Sequence, residues 1–140
     1  MSFVEVLLPV FAQVILTFVV AYILAYQRIT AIRSGQVHPS KIALREPNWP
    51  VDASKTSNNL LSQFEIPVLF YVLMILLLIT HKADIILMTL AWIFVALRIV
   101  HAYVHLTSNR VSLRGPLFIL GVIVLTIMWG LFMVDMIRVV

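Results

Sequence analysis

No cysteine occurs among the 140 residues. That rules out a disulfide, a thiolate metal site and a cysteine nucleophile, so any thiol in the chemistry must arrive with a substrate. Charge is also scarce: Asp, Glu, Lys and Arg make up 11% of the chain, less than half of the roughly 25% of ordinary soluble domains. Internal repeats and low-complexity tracts are missing too, which excludes solenoids and linker arrays. Apolar sequence fills the space, with 62% hydrophobic residues and a mean hydropathy of +1.06. This composition predicts an integral membrane protein. Too little polar sequence lies outside the apolar runs for a separate soluble domain, so residues 1–140 are expected to form one domain. The net charge of +4 sits mostly in connecting segments, where it reads as membrane orientation and implies no nucleic-acid partner.

Four apolar runs, at about residues 6–28, 58–80, 85–106 and 116–137, match the roughly 20 residues that a hydrocarbon core of about 30 Å demands. The fold class expected is all-α, with four transmembrane helices in an antiparallel bundle surrounded by membrane lipids. The first run lacks a small-residue cleavage site and carries only acidic Glu5 ahead of it, which argues against a signal peptide. Pro116 is expected in the first turn of the fourth helix, where its missing N–H is harmless, and Pro9 is placed similarly in the first. The connection His81-Lys82-Ala83-Asp84 is short enough to force a hairpin. The first connection is long and contains Pro39, Pro47 and Pro50, with Trp49 as an interfacial anchor. Arg28, Arg33, Lys41, Arg45, Lys55, Arg110 and Arg114 flank or occupy the first and third connections, against Lys82 and Arg138 on the other side. The positive-inside rule therefore places those connections in the cytoplasm and both termini opposite.

Two ionisable residues, Glu65 and Arg98, interrupt these apolar runs. Charges at such depth are paired, wetted or used in chemistry. Counting outward from the hairpin at 1.5 Å per residue, their depths differ by about 3 Å, which predicts that they meet. The same count sets His101 level with Glu65, and His105 level with Asn59. Arg98, His101 and His105 follow an i, i+3, i+7 pattern that aligns them on one helix face, leading on to Asn109 and Arg114. Cations converging with one carboxylate suit a small anionic, peptide-like ligand, because guanidinium forks carboxylates while Glu65 can accept from an ammonium. A structural clamp between helices accounts for Glu65 and Arg98 equally well. For His101 an interhelical hydrogen bond stands beside the ligand role. His101 and His105 could share a metal ion, but a zinc site needs a further ligand and no HExxH pattern is present, so no metal is expected.

The run from Arg98 through His101 to His105, followed by Asn109, Arg110 and Arg114, resembles the third-helix signature of the MAPEG superfamily, the membrane-associated proteins of eicosanoid and glutathione metabolism. Asn58-Asn59, then Gln63-Phe64-Glu65-Ile66-Pro67 and an aliphatic run, is similar to that family's second-helix pattern. The resemblance covers nearly the whole chain, and its compactness points to a bacterial-type member in the inner membrane. It implies a homotrimer that binds glutathione as cosubstrate between subunits on the cytoplasmic side, with a lipophilic substrate entering from the bilayer. By that likeness Arg98 and Glu65 hold the charges of the glutathione backbone, His101 and Asn59 add hydrogen bonds, and Arg28 contributes a basic contact; His105 and Arg110 are counted with the binding residues, although a positive-inside charge accounts for Arg110 as well. Arg114 is the catalytic residue, stabilising the thiolate. His105 stands where several family enzymes have tyrosine, Phe118 replaces another aromatic hydroxyl, and either Glu65 or Gln63 is the family's acidic position.

The expected function is that of a glutathione-dependent transferase or peroxidase acting on lipophilic electrophiles. Two other classes stand beside it: a noncatalytic lipid-binding or scaffold member of the same fold, and a small proton-coupled exporter using Glu65 as carrier.

Overall fold

The structure, a computed structural model, describes residues 1–43 and 48–140. Arg45 and Pro47 of the first connection lie outside the described residues. Five α-helices occur among them: α1 (Phe3–Arg33), α2 (Val51–Ser62), α3 (Ile66–Thr80), α4 (Ile85–Leu106) and α5 (Val111–Val139), with a single 3₁₀ turn at Pro39–Lys41 in the first connection. No strand is present among the described residues. The helices form four segments long and apolar enough to cross a membrane: Phe3–Arg33, Val51–Thr80, Ile85–Leu106 and Ser112–Val139.

Local chemistry explains the well-formed ends. Ser2 and Glu5 form a reciprocal capping box at the start of α1, with the Ser2 N–H donating to Glu5 Oε2 at 2.8 Å. Asp84 caps α4 by accepting from the Leu87 N–H at 2.8 Å. Between them His81 takes a left-handed conformation, φ 56°, that closes α3 and turns the chain. Lys82 in that turn lies 3.4 Å from Asp135 near the end of α5.

Three expected boundaries are corrected. The second span begins at Val51 rather than near residue 58, because its polar first turns still bury Ala53, Thr56 and Asn59 on one face. That span is also broken at residues 63–65. Pro67 has no N–H to offer the Gln63 carbonyl, and its ring collides with that carbonyl in a continuous helix. Glu65 consequently adopts φ −96°, ψ −99°, outside helical values. The fourth helix likewise starts at Val111, so Pro116 lies inside it and not in its first turn; Pro9 lies inside α1 in the same way.

The core is formed by Phe70, Leu73, Met74 and Leu77 of α3, Leu87, Met88, Ala91, Phe94 and Val95 of α4, Leu125, Met128 and Phe132 of α5, and Val6 of α1. Phe70 stacks on Phe94 with ring centroids 4.8 Å apart. The outer faces remain apolar, with Phe11, Ile15, Phe18, Ile75, Ile119 and Ile127 among the exposed residues. In water such a surface would aggregate, whereas lipid solvates it.

Candidate functional site: a cation cluster at the loop end of the bundle

Arg98 is only 3% exposed. Its Nη2 donates to the Ser62 carbonyl at 3.2 Å and to Ser62 Oγ at 3.0 Å. The break before Pro67 creates this site. In a continuous helix the Ser62 carbonyl would accept from the residue 66 N–H; at the end of α2 it is left over, and the guanidinium takes it. A cation there also faces the negative end of the α2 dipole. Ser62 Oγ in turn donates to the Asn59 carbonyl at 2.6 Å.

The expected contact between Glu65 and Arg98 is not formed within the subunit. Glu65 is exposed, and among the described residues it has no ion pair within 4.0 Å. The depth count assumed a straight helix. The break rotates Glu65 outward beside Phe64, itself 62% exposed, while Arg98 is drawn to the helix end.

The second pairing from the depth count does form. Asn59 Nδ2 lies 3.2 Å from His105 Nδ1, and both residues are buried. Asn59 Oδ1 accepts from Gln63 Nε2 at 3.0 Å, and Gln63 Oε1 accepts from Gln13 Nε2 at 2.8 Å. Asn59 thus sits inside the bundle with both ends of its amide engaged. His101 packs one turn before His105, their ring centroids 5.9 Å apart, and Phe118 of α5 lies 6.2 Å from His101. Two buried donors or acceptors here, Arg98 Nε and His101 Nδ1, have no partner among the described residues. Such groups are rare in folded proteins and point to a missing partner.

Arg114, in the first turns of α5, donates to Asn109 Oδ1 at 2.8 Å. Asn109 takes a left-handed conformation, φ 49°, which asparagine tolerates well. Arg114 and Arg98 both lie within electrostatic reach of His101 and His105. Lys55 adds a further cation at this end. Its Nζ donates to the Thr107 carbonyl at 3.2 Å, capping the end of α4, and pairs with Asp52 at 3.4 Å.

The cluster therefore joins Asn59, Arg98, His101, His105 and Arg114. Arg28 makes none of these contacts; it donates to Ser57 Oγ at 3.3 Å with its guanidinium 4.7 Å from the Trp49 ring centroid. Arg110 is exposed at the start of α5, with no side-chain cap. Among the described residues the nearby carboxylates are exposed Glu65 and the Asp52 already paired with Lys55, so the described cluster carries net positive charge suited to an anion.

The sequence model of the MAPEG family matches residues 6–134. The chain belongs to the MAPEG family. Comparison with curated proteins returned no match, and neither did comparison with solved structures. Within this MAPEG chain the sequence reading missed Ser62 as the partner of Arg98, Gln13 as the far end of the amide chain, and Lys55 as the cap of α4. Pro67 was the available signal for the first, since it marks where a carbonyl must find a new donor. Gln13 is a strongly polar residue in an apolar run, but its partner 50 positions away has no local signature.

Proposed function

We propose that the chain is a glutathione-dependent transferase or peroxidase of the membrane, acting on lipophilic electrophiles. The observation that carries this reading is the cation cluster with two buried nitrogens, Arg98 Nε and His101 Nδ1, that lack partners among the described residues. Glutathione is anionic, peptide-like and rich in acceptors. Arg98 and His101 would supply donors to it, and the exposed Glu65 would accept from its ammonium or from a neighbouring subunit. Assembly as a homotrimer would bring Arg28, Arg110 and Glu65 of adjacent copies toward the cluster. Arg114 would act on the thiol: a nearby guanidinium favours the thiolate and raises the fraction present as nucleophile. In transfer, the sulfur lone pair forms a C–S bond as the electrophile's leaving group departs or its ring opens. With a hydroperoxide, the thiolate attacks the terminal oxygen as the O–O bond breaks, giving a sulfenic acid and an alkoxide that takes a proton from water to become the alcohol; the sulfenic acid then condenses with the thiol of a second glutathione to yield the disulfide and water. By the positive-inside rule the cluster would face the cytoplasm, and the compact chain with its short loops would suit the inner membrane of a bacterium. The test is binding: millimolar glutathione should raise the melting temperature of the detergent-solubilised protein, and no shift would defeat the reading.

A noncatalytic lipid-binding role is favoured by a different observation. An apolar groove of about 400 Å³ runs between α1 and α3, lined by Leu7, Val14, Phe18, Phe64, Met74 and Leu78 among others. Lipid binding without any glutathione effect would favour this second reading.

A further inference from the structure

Gln13, Gln63, Asn59 and His105 come from α1, the end of α2 and α4, and they form one hydrogen-bonded chain from which water is excluded. Each amide has a donor end and an acceptor end, so fixing one member orients the next. Gln13 donates to Gln63, and Gln63 donates to Asn59. Asn59 is thereby left with its NH₂ toward His105, whose Nδ1 must accept. A neutral imidazole that accepts at Nδ1 carries its hydrogen on Nε2.

Only one other polarity is self-consistent. If every amide turned over, Nδ1–H would donate to Asn59 Oδ1 and Nε2 would become the acceptor. The far end of the chain decides between them. In the observed polarity the Gln13 NH₂ faces both Gln63 Oε1 and the Tyr71 hydroxyl, and Gln13 Oε1 is left without a partner among the described residues; reversal would turn the NH₂ away from the Tyr71 oxygen. An under-satisfied carbonyl is tolerated more readily than an orphaned N–H, so the observed direction is the cheaper.

We propose that Gln63, anchored by Gln13, is a positioning residue that holds His105 in the Nε2–H tautomer, so that the ring offers a donor to an anion at the cation cluster and not a base. No hydrogen bond to His105 Nε2 exists among the described residues, which leaves that N–H for a ligand. The assignment of the tautomer is independent of what binds. Its use as a glutathione contact rests on the function proposed above.

The test is nitrogen NMR of the ring, on full-length protein labelled with ¹⁵N-histidine in detergent. The chain has four histidines, and loss of one signal set in His105→Asn assigns the spectrum. The wild type should show His105 as the Nε2–H tautomer alone. Gln63→Met removes the donor that orients Asn59, and His105 should then divide between two tautomers. Gln13→Met, one bond further away, should loosen the chain in the same sense and serves if the first variant does not fold. A wild-type Nδ1–H ring, or an undivided Nε2–H ring in both variants, overturns the proposal. Glutathione titration separates the two claims. If the ring divides evenly in Gln63→Met, affinity should fall about twofold, in proportion to the competent tautomer. An Nε2–H ring in a protein that binds no glutathione would leave the tautomer assignment standing and sink only the function proposed above.

Discussion

Arg98 is held by Ser62 and not by Glu65. Its guanidinium donates twice to Ser62 at the broken end of α2, while Glu65, three residues on, faces outward. The two mutations should therefore separate. Arg98→Ala leaves a part-buried carbonyl without its donor and should lower stability by about 1–3 kcal/mol, whereas Glu65→Gln should leave it within about 0.5 kcal/mol. Denaturation of the detergent-solubilised variants measures both, and equal losses would show that the two residues act as a clamp.

With no Arg98 contact, Glu65 is the residue on which an exporter would depend. Proteoliposomes under a pH gradient should show no transport that Glu65→Gln abolishes. Gradient-driven export lost in that variant would replace the glutathione reading with proton coupling.

Asn59 ties Gln63 to His105, and removing it strands a buried group on each side. Asn59→Leu should lower stability by about 1–3 kcal/mol. Its loss combined with Gln63→Met should be less than the sum of the separate losses, by an interaction energy of about 0.5–3 kcal/mol in a double-mutant cycle. Additive losses would mean that the two amides do not act as a unit.

The ion pair of Lys82 with Asp135 ties the hairpin to the end of α5, but both side chains are partly exposed, at 30% and 49%. Solvent screens such a pair, and Asp135→Asn should change stability by less than about 1 kcal/mol. A larger loss in thermal melts would place the pair in a drier setting than its exposure indicates.

Much of this architecture is legible in the sequence because hydrocarbon imposes a strict length and composition on each span. The tight hairpin fixes relative depth, which is why Asn59 and His105 could be matched across 46 residues. Helix ends were less legible. Val51 and Val111 begin helices that extend past the apolar runs, and hydropathy locates the runs rather than the hydrogen-bonded ends. The contact of Glu65 with Arg98 was misjudged for a related reason: at the break before Pro67 the 3.6-residue period is lost, and counting along a straight helix no longer tells which way a side chain points.

In the function proposed above, the cation cluster binds glutathione and Arg114 stabilises its thiolate. Ultraviolet difference absorbance of the thiolate, recorded on adding glutathione to wild type and to Arg114→Ala near neutral pH, tests it most directly. A saturable thiolate signal is expected in the wild type and should disappear in the variant. A wild type with no thiolate signal at millimolar glutathione, or a variant with an undiminished one, would contradict it.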